Sequence, residues 1–160
     1  MADMDTTLII LKPDAVQRGL CGRILSRFEE KGLKIVGMKM MKIGPDLAAR
    51  HYQTHQGKSF YDKLLKFMTS SPVLVVALQG INAIEICRKM MGATFGSKAE
   101  PGTIRGDYAH QPLERGSDRF LCNLVHASAN AEDAEREVPL WFGPDEVLDY
   151  AMIDDMYTGL

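Results

Sequence analysis

Hydrophobic positions along this chain follow two periods, and the switches between them mark out its elements. Thr7–Leu11 is an apolar run rich in β-formers that delivers Lys12 at its end and is stopped by Pro13. From Leu20 to Lys31 the apolar Leu20, Ile24, Leu25 and Phe28 keep helical spacing, and Gly32 is a helix stop. Val36, Met38 and Met40 then alternate with Gly37 and Lys39, the period of a half-buried strand, and this methionine stripe reads as core. Gly44-Pro45-Asp46 leads into a helix over Leu47–Thr54, and a second helical stretch covers Phe60–Met68. The unbroken run Pro72–Leu78 suits a central strand, buried on both faces. Asn82 with Glu85 has the spacing of a capping box, opening a helix that ends at Gly92. Residues 93–118 are Gly-rich and polar, predicting a long loop, and Phe120–Val125 reads as a last strand. Asn130 caps a short helix that Pro139 ends, and Pro144-Asp145-Glu146 opens another.

This order of strands and helices predicts an α+β fold. The expected form is a ferredoxin-like split βαβ sandwich with a four-stranded antiparallel sheet, extra helices and one long loop. At 160 residues the chain is expected to be a single domain, with 151–160 as a tail. The longest apolar run, Val73–Leu78, is far short of the roughly 20 residues of a membrane-spanning helix. The opening "MADMDTT" also lacks the basic and apolar stretches of a signal peptide. Cys21, Cys87 and Cys122 form no CxxC pair, so neither a zinc site nor a disulfide framework is indicated; reduced thiols in a cytoplasmic protein are expected. Charge is unevenly spread: residues 1–130 carry 18 Lys and Arg against 12 acids, whereas 131–160 carry one Arg against nine. A basic body with an acidic tail suits small anions and disfavours nucleic acid.

Several short motifs mislead. Gly57-Lys58-Ser59 imitates the end of a P-loop, but the required first glycine falls on Tyr52. His51 and His55 have zinc-ligand spacing, yet Tyr52 stands where HExxH needs Glu. Arg105-Gly106-Asp107 spells an adhesion tripeptide, in a chain with no secretory signal. A more informative signal is distributed: Lys12 at a strand end, Arg88 on a helix, and Thr94, Thr103 and Arg105 in the long loop. Converging, they would bind a polyphosphate through one ammonium, two guanidinium forks and hydroxyls; apart, they are solvated surface groups. His126 is open to two readings, as a packed residue at a strand exit or as a neutral imidazole nucleophile. Glu137, eleven residues on, could orient its ring.

The segments TLIILKPDAVQRG (7–19), HYQTHQGKSFYDKL (51–64), PGTIRGDY (101–108), NLVHAS (123–128) and AEREVPLWF (134–142) resemble the nucleoside diphosphate kinases, over about residues 6–150. The resemblance implies transfer of the terminal phosphate of a nucleoside triphosphate, mainly ATP, to nucleoside diphosphates. It implies a phosphohistidine, with Mg²⁺ carried on the nucleotide rather than in a dedicated protein site. On this resemblance His126 is the nucleophile, helped by Ser128 and Glu137. Tyr52, His55, Arg88, Thr94 and Arg105 contact phosphates, Lys12 and Asn123 the sugar, and Phe60 stacks on the base. It further implies a homo-oligomer, a hexamer or a tetramer. Three features depart from the family pattern: Ala127 and Ala129 replace its usual Gly and Asp, the stretch from Arg105 to His126 is longer, and Phe120 falls six before His126, where the family often has a small aliphatic residue lining the base. The extra length falls within Ala109–Asp118, whose Pro112, Gly116 and mixed charges predict an exposed turn.

Overall fold

In the computed structural model, residues 4–110, 121–153 and 155–158 are described. The first half holds β1 (Met4–Leu11), α1 (Pro13–Gln17), α2 (Cys21–Glu30), β2 (Lys34–Met41), α3 (Pro45–His51) and α4 (Tyr61–Met68). Then come β3 (Val73–Ile81), α5 (Ala83–Met91), α6 (Ile104–Tyr108), β4 (Val125–Ala127), α7 (Ala131–Trp141) and α8 (Asp155–Thr158). The four strands form one antiparallel sheet in the order β2-β3-β1-β4. Each strand–helix–strand unit is therefore split by a strand from the other, the predicted sandwich.

The two central strands explain their own unbroken hydrophobicity. Leu8 and Ile10 of β1, with Val73, Val75 and Ala77 of β3, join a core that also takes in Ala48, Leu64, Met68 and Trp141 from α3, α4 and α7. Ile9 and Leu11, with Leu74, Val76 and Leu78, point the other way, onto Ile24 and Phe28 of α2 and Cys87 of α5. Side chains alternate across a strand, so a sheet covered on both faces needs apolar residues at every position.

Gly32 closes α2 as expected: its φ is +87°, and Leu33 N–H reaches back to the Phe28 carbonyl at 3.1 Å. Gly37 sits at a bulge in β2, where a Cβ would lie 2.8 Å from the Glu146 carbonyl oxygen. Its missing side chain lets the chain after α7 cross the strand, and Leu148 N–H donates to the Val36 carbonyl there at 2.7 Å.

The methionine stripe of β2 is not core, since Val36 is buried but Met38 and Met40 are exposed on this edge strand, and five further local expectations are corrected. Pro13 does more than stop β1; it opens α1 at its first turn. Asn82 has φ +53° and makes no side-chain cap, while Glu85 pairs with Lys89 one turn on. The loop of 93–118 contains α6, capped by Thr103, whose Oγ1 accepts from Gly106 N–H at 3.0 Å. Pro139 does not end α7, which runs on to the buried Trp141. An internal proline costs about 3 kcal/mol; here it falls near the helix end, and burial of Trp141 holds the last turn.

The fifth concerns the last strand, which is Val125–Ala127 and not Phe120–Val125. Leu124, at φ +72°, turns the chain just before it, and Phe120 lies outside the described residues. His126 is therefore inside β4, opposite Ile10, rather than beyond it. Of the expected exposed turn at Ala109–Asp118, residues 111–118 also lie outside the described residues; Ala109 is buried.

Candidate active site

The strand period aims the chemistry. Val125 and Ala127 pack into the core beside α2 and α5, so the alternate residue His126 faces the α3–α7 side. There its Nε2 lies 3.0 Å from Glu137 Oε2 of α7. Ser128 Oγ donates to the same carboxylate oxygen at 2.7 Å and accepts from Leu8 N–H at 3.1 Å. Burial pushes the Glu137 carboxyl up, but hydrogen bonds from His126 and Ser128 and the charge of Arg136 outweigh it, so the net direction is down.

In front of His126 opens a small cleft of about 180 Å³. Lys12, Arg88, Thr94, Arg105 and Asn123 all line it, so the polar groups scattered in sequence converge, except Thr103, which is spent on its cap. Tyr52, His55 and Phe60 line it as well. The Tyr52 hydroxyl is buried with no hydrogen-bond partner among the described residues. Burial, with Glu137 nearby, raises its pKa, so it remains an O–H donor. Burial and then Lys58 hold His55 below the usual histidine value.

Lys12 leaves the end of β1 and donates from Nζ to Asn123 Oδ1 at 2.7 Å and to the Leu121 carbonyl at 3.5 Å. Burial, and then the charge of Arg105, lower its pKa to about 7. Asn123 is fixed in turn by donating to the Thr94 carbonyl at 2.8 Å. Arg105 spans three carbonyls, of Asn123 (3.0 Å), Gly92 (3.3 Å) and Val125 (2.6 Å). It thus shapes the loop before His126 as well as facing the cleft. Burial, and then Arg88, bring its pKa down to about 10. Arg88 makes one contact of 3.5 Å, to the Ala127 carbonyl.

Among the described residues no carboxylate lines this cleft, while Asp133 and Glu137 line the adjoining hollow that shares His126, Arg88 and Thr94 with it. Hard divalent cations need oxygen ligands, so a Mg²⁺ ion in the cleft itself would fit as one arriving on phosphate oxygens. His51, His126 and Glu137 do offer ligand atoms within 4.8 Å of one another. Hydrogen bonds to Ser128 and Trp141 already engage that trio.

A model of the nucleoside diphosphate kinase family matches residues 5–147. The chain belongs to that family. A nucleoside diphosphate kinase of Pyrococcus abyssi is 50% identical over 155 residues, covering 97% of this chain and 94% of the relative. One from Roseiflexus sp. is 52% identical over 154 residues, covering 96% and 98%. Among solved structures, a transition-state mimic of the Borrelia burgdorferi nucleoside diphosphate kinase with bound vanadate and ADP superposes with a TM-score of 0.92. It is 39% identical, over 98% of this chain and 97% of that one. A halophilic nucleoside diphosphate kinase from Halobacterium salinarum in complex with CDP gives 0.89 at 42% identity, over 98% and 99%. As a member of the nucleoside diphosphate kinase family, the chain is a phosphotransferase that moves phosphate between nucleotides. Among the described residues, no helix is long and apolar enough to cross a membrane.

Two residues of this nucleoside diphosphate kinase site escaped the sequence reading. Asp14, in α1, accepts from Leu124 N–H at 3.1 Å and so supports the left-handed turn before His126. Its signal was its place two residues after Lys12. The zinc-like spacing of His51 and His55 gave no hint that the His51 ring meets that of His126 edge-on at 4.6 Å.

Proposed function

We propose that this chain transfers the terminal phosphate of a nucleoside triphosphate, mainly ATP, to nucleoside diphosphates by a ping-pong route through a phosphohistidine on His126. The observation that carries this reading is the 3.0 Å contact of His126 Nε2 with Glu137 at the floor of a cationic cleft. With Nε2 held, Nδ1 is the nitrogen left to attack phosphorus; the bond to the leaving diphosphate oxygen breaks as the N–P bond forms. Glu137 stabilises the positive charge that grows on the ring, and Ser128 holds Glu137. The nucleoside diphosphate then leaves, and a second one takes the phosphoryl group back in reverse.

Tyr52, His55, Arg88, Thr94 and Arg105 bind the phosphates, and Lys12 and Asn123 the sugar. Phe60 offers a flat ring that accepts any base, which suits broad specificity. Mg²⁺ on the nucleotide neutralises charge on the transferring group. The assembly is a homo-oligomer, with the hexamer favoured over the tetramer. β2 is an edge strand of the sheet and exposes Met38 and Met40, which suits packing against another copy. Three free thiols suit the cytoplasm.

Incubation with γ-labelled ATP will give an acid-labile, base-stable phosphoprotein that loses its label to added GDP. Label that stays on the protein when GDP is added overturns the ping-pong route.

A second prediction concerns Lys12. Between pH 7 and 9 much of its amine is neutral in the empty cleft, and an entering polyphosphate favours the charged form. ADP binding at pH 8 will therefore take up protons. Calorimetry in buffers of different ionisation enthalpy will show the uptake, and Lys12→Met will reduce it; equal uptake by the variant removes Lys12 as the source.

A further inference from the structure

Against the His126 ring lies a pair of residues that the phosphotransfer reading leaves without a task. The Trp141 indole Nε1–H donates to His51 Nδ1 at 3.0 Å, across 90 residues of sequence. Both side chains are buried, at 3% and 2% exposure. An indole nitrogen can only donate, so His51 Nδ1 must present its lone pair and the ring proton resides on Nε2. That Nε2 is itself buried with no hydrogen-bond partner among the described residues.

The same His51 Nδ1 lies 4.0 Å from Glu137 Oε1, and the other oxygen of that carboxylate serves His126 and Ser128. A small ring movement would let a protonated His51 pair with Oε1, which Arg136 already approaches at 3.6 Å, and so draw the carboxylate's charge away from His126. The indole blocks this by occupying the nitrogen that would carry the proton. We propose that Trp141 and His51 are a positioning pair that keeps His51 neutral and reserves the Glu137 carboxylate for His126. The proposal rests on His126 being the phosphorylated residue.

The surroundings work in the same direction. His126 from β4, Arg136 from α7, Lys12 after β1 and His55 after α3 all oppose a positive charge on His51, while the Glu137 carboxylate faces it at 4.0 Å. Burial opposes it most, and His51 is held well below the usual histidine value. The Tyr52 ring, edge-on at 4.5 Å, closes the remaining side. His51 also forms an edge-on wall against the His126 ring, 80° from its plane.

Trp141→Phe keeps an aromatic ring in the core and removes the N–H. His51 Nδ1 is then free to take a proton and turn to Glu137, and the sign of the effect follows. Below the pH at which His51 protonates, Glu137 is diverted and phosphorylation slows; above it, the rate returns. The acid limb of single-turnover phosphorylation will therefore move to higher pH. At pH 6 the variant will be about three-fold or more slower than the parent, and at pH 8.5 within about two-fold. The double variant His51→Phe with Trp141→Phe has no imidazole to titrate there, and its acid limb will return toward that of the parent. Slowing by one constant factor at every pH overturns the proposal and leaves a packing role. So does a limb that stays displaced in the double variant. His126→Ala, run alongside, tests the underlying reading separately, because it removes the phosphoenzyme at every pH. Nitrogen-15 spectra of the parent give a second measurement, needed if Trp141→Phe does not fold. A His51 ring protonated on Nε2 alone at pH 6–8 is expected, and a proton on Nδ1 in that range overturns the pair.

Discussion

His126→Ala will abolish the acid-labile phosphoenzyme and lower phosphate transfer by about four orders of magnitude or more, the scale of losing a covalent nucleophile. Other imidazoles stand close by, and neither is placed to substitute. His51 is buried with its Nδ1 on Trp141. His55 lines the cleft, but the hydrogen-bonding neighbour of its ring is Lys58 at 3.4 Å, a cation that opposes the charge an attacking ring must acquire. Glu137 keeps its bond from Ser128 in the variant, so the fold and nucleotide binding will survive. Phosphoprotein assay, steady-state transfer to GDP and equilibrium ADP binding read the three quantities separately. Label recovered on His55, or transfer within ten-fold of the parent, would show that the nucleophile lies elsewhere.

Arg105→Ala will strike stability and rate together, because one guanidinium serves both. Of its five N–H donors, the hydrogen bonds to Asn123, Gly92 and Val125 use three and leave two for a phosphate. The Asn123 carbonyl keeps the bond it accepts from Val125 N–H at 2.8 Å, but each of the other two, left unpaired, costs about 1–3 kcal/mol. The melting temperature should therefore fall by on the order of 10 °C at this chain length. The turn that presents His126 loosens at the same time, so kcat will fall more than KM rises. Arg105→Lys keeps the charge but cannot span three carbonyls, and it will recover little of either loss. Thermal unfolding and steady-state kinetics of the two variants check this. An unchanged melting temperature would mean that the carbonyls find other donors, and a change confined to KM would leave Arg105 a binding group only.

The sequence by itself determined the layered core, because hydrophobic period is local information. Unbroken apolar runs at 7–11 and 73–78 required central strands covered on both faces, and β1 and β3 are such strands. It also determined much of the cleft's membership, since Lys12, Arg88, Thr94, Arg105 and His126 were legible as residue types at strand ends, on a helix and in a loop, while Asn123 came only from the family resemblance. Only the tertiary structure decided how they are used. Leu124 takes a left-handed backbone and α7 runs through Pro139. Both conformations are locally unfavourable, so propensity places the breaks wrongly, and long-range contacts such as the Asp14 bond to Leu124 N–H are what offset the cost. Those two departures move His126 into β4 and bring Trp141 onto His51. The double duty of Arg105 was equally hidden, since its carbonyl partners lie 13 to 20 residues away. Spacing along a chain specifies which face a side chain takes; which partner it meets there depends on how distant elements pack.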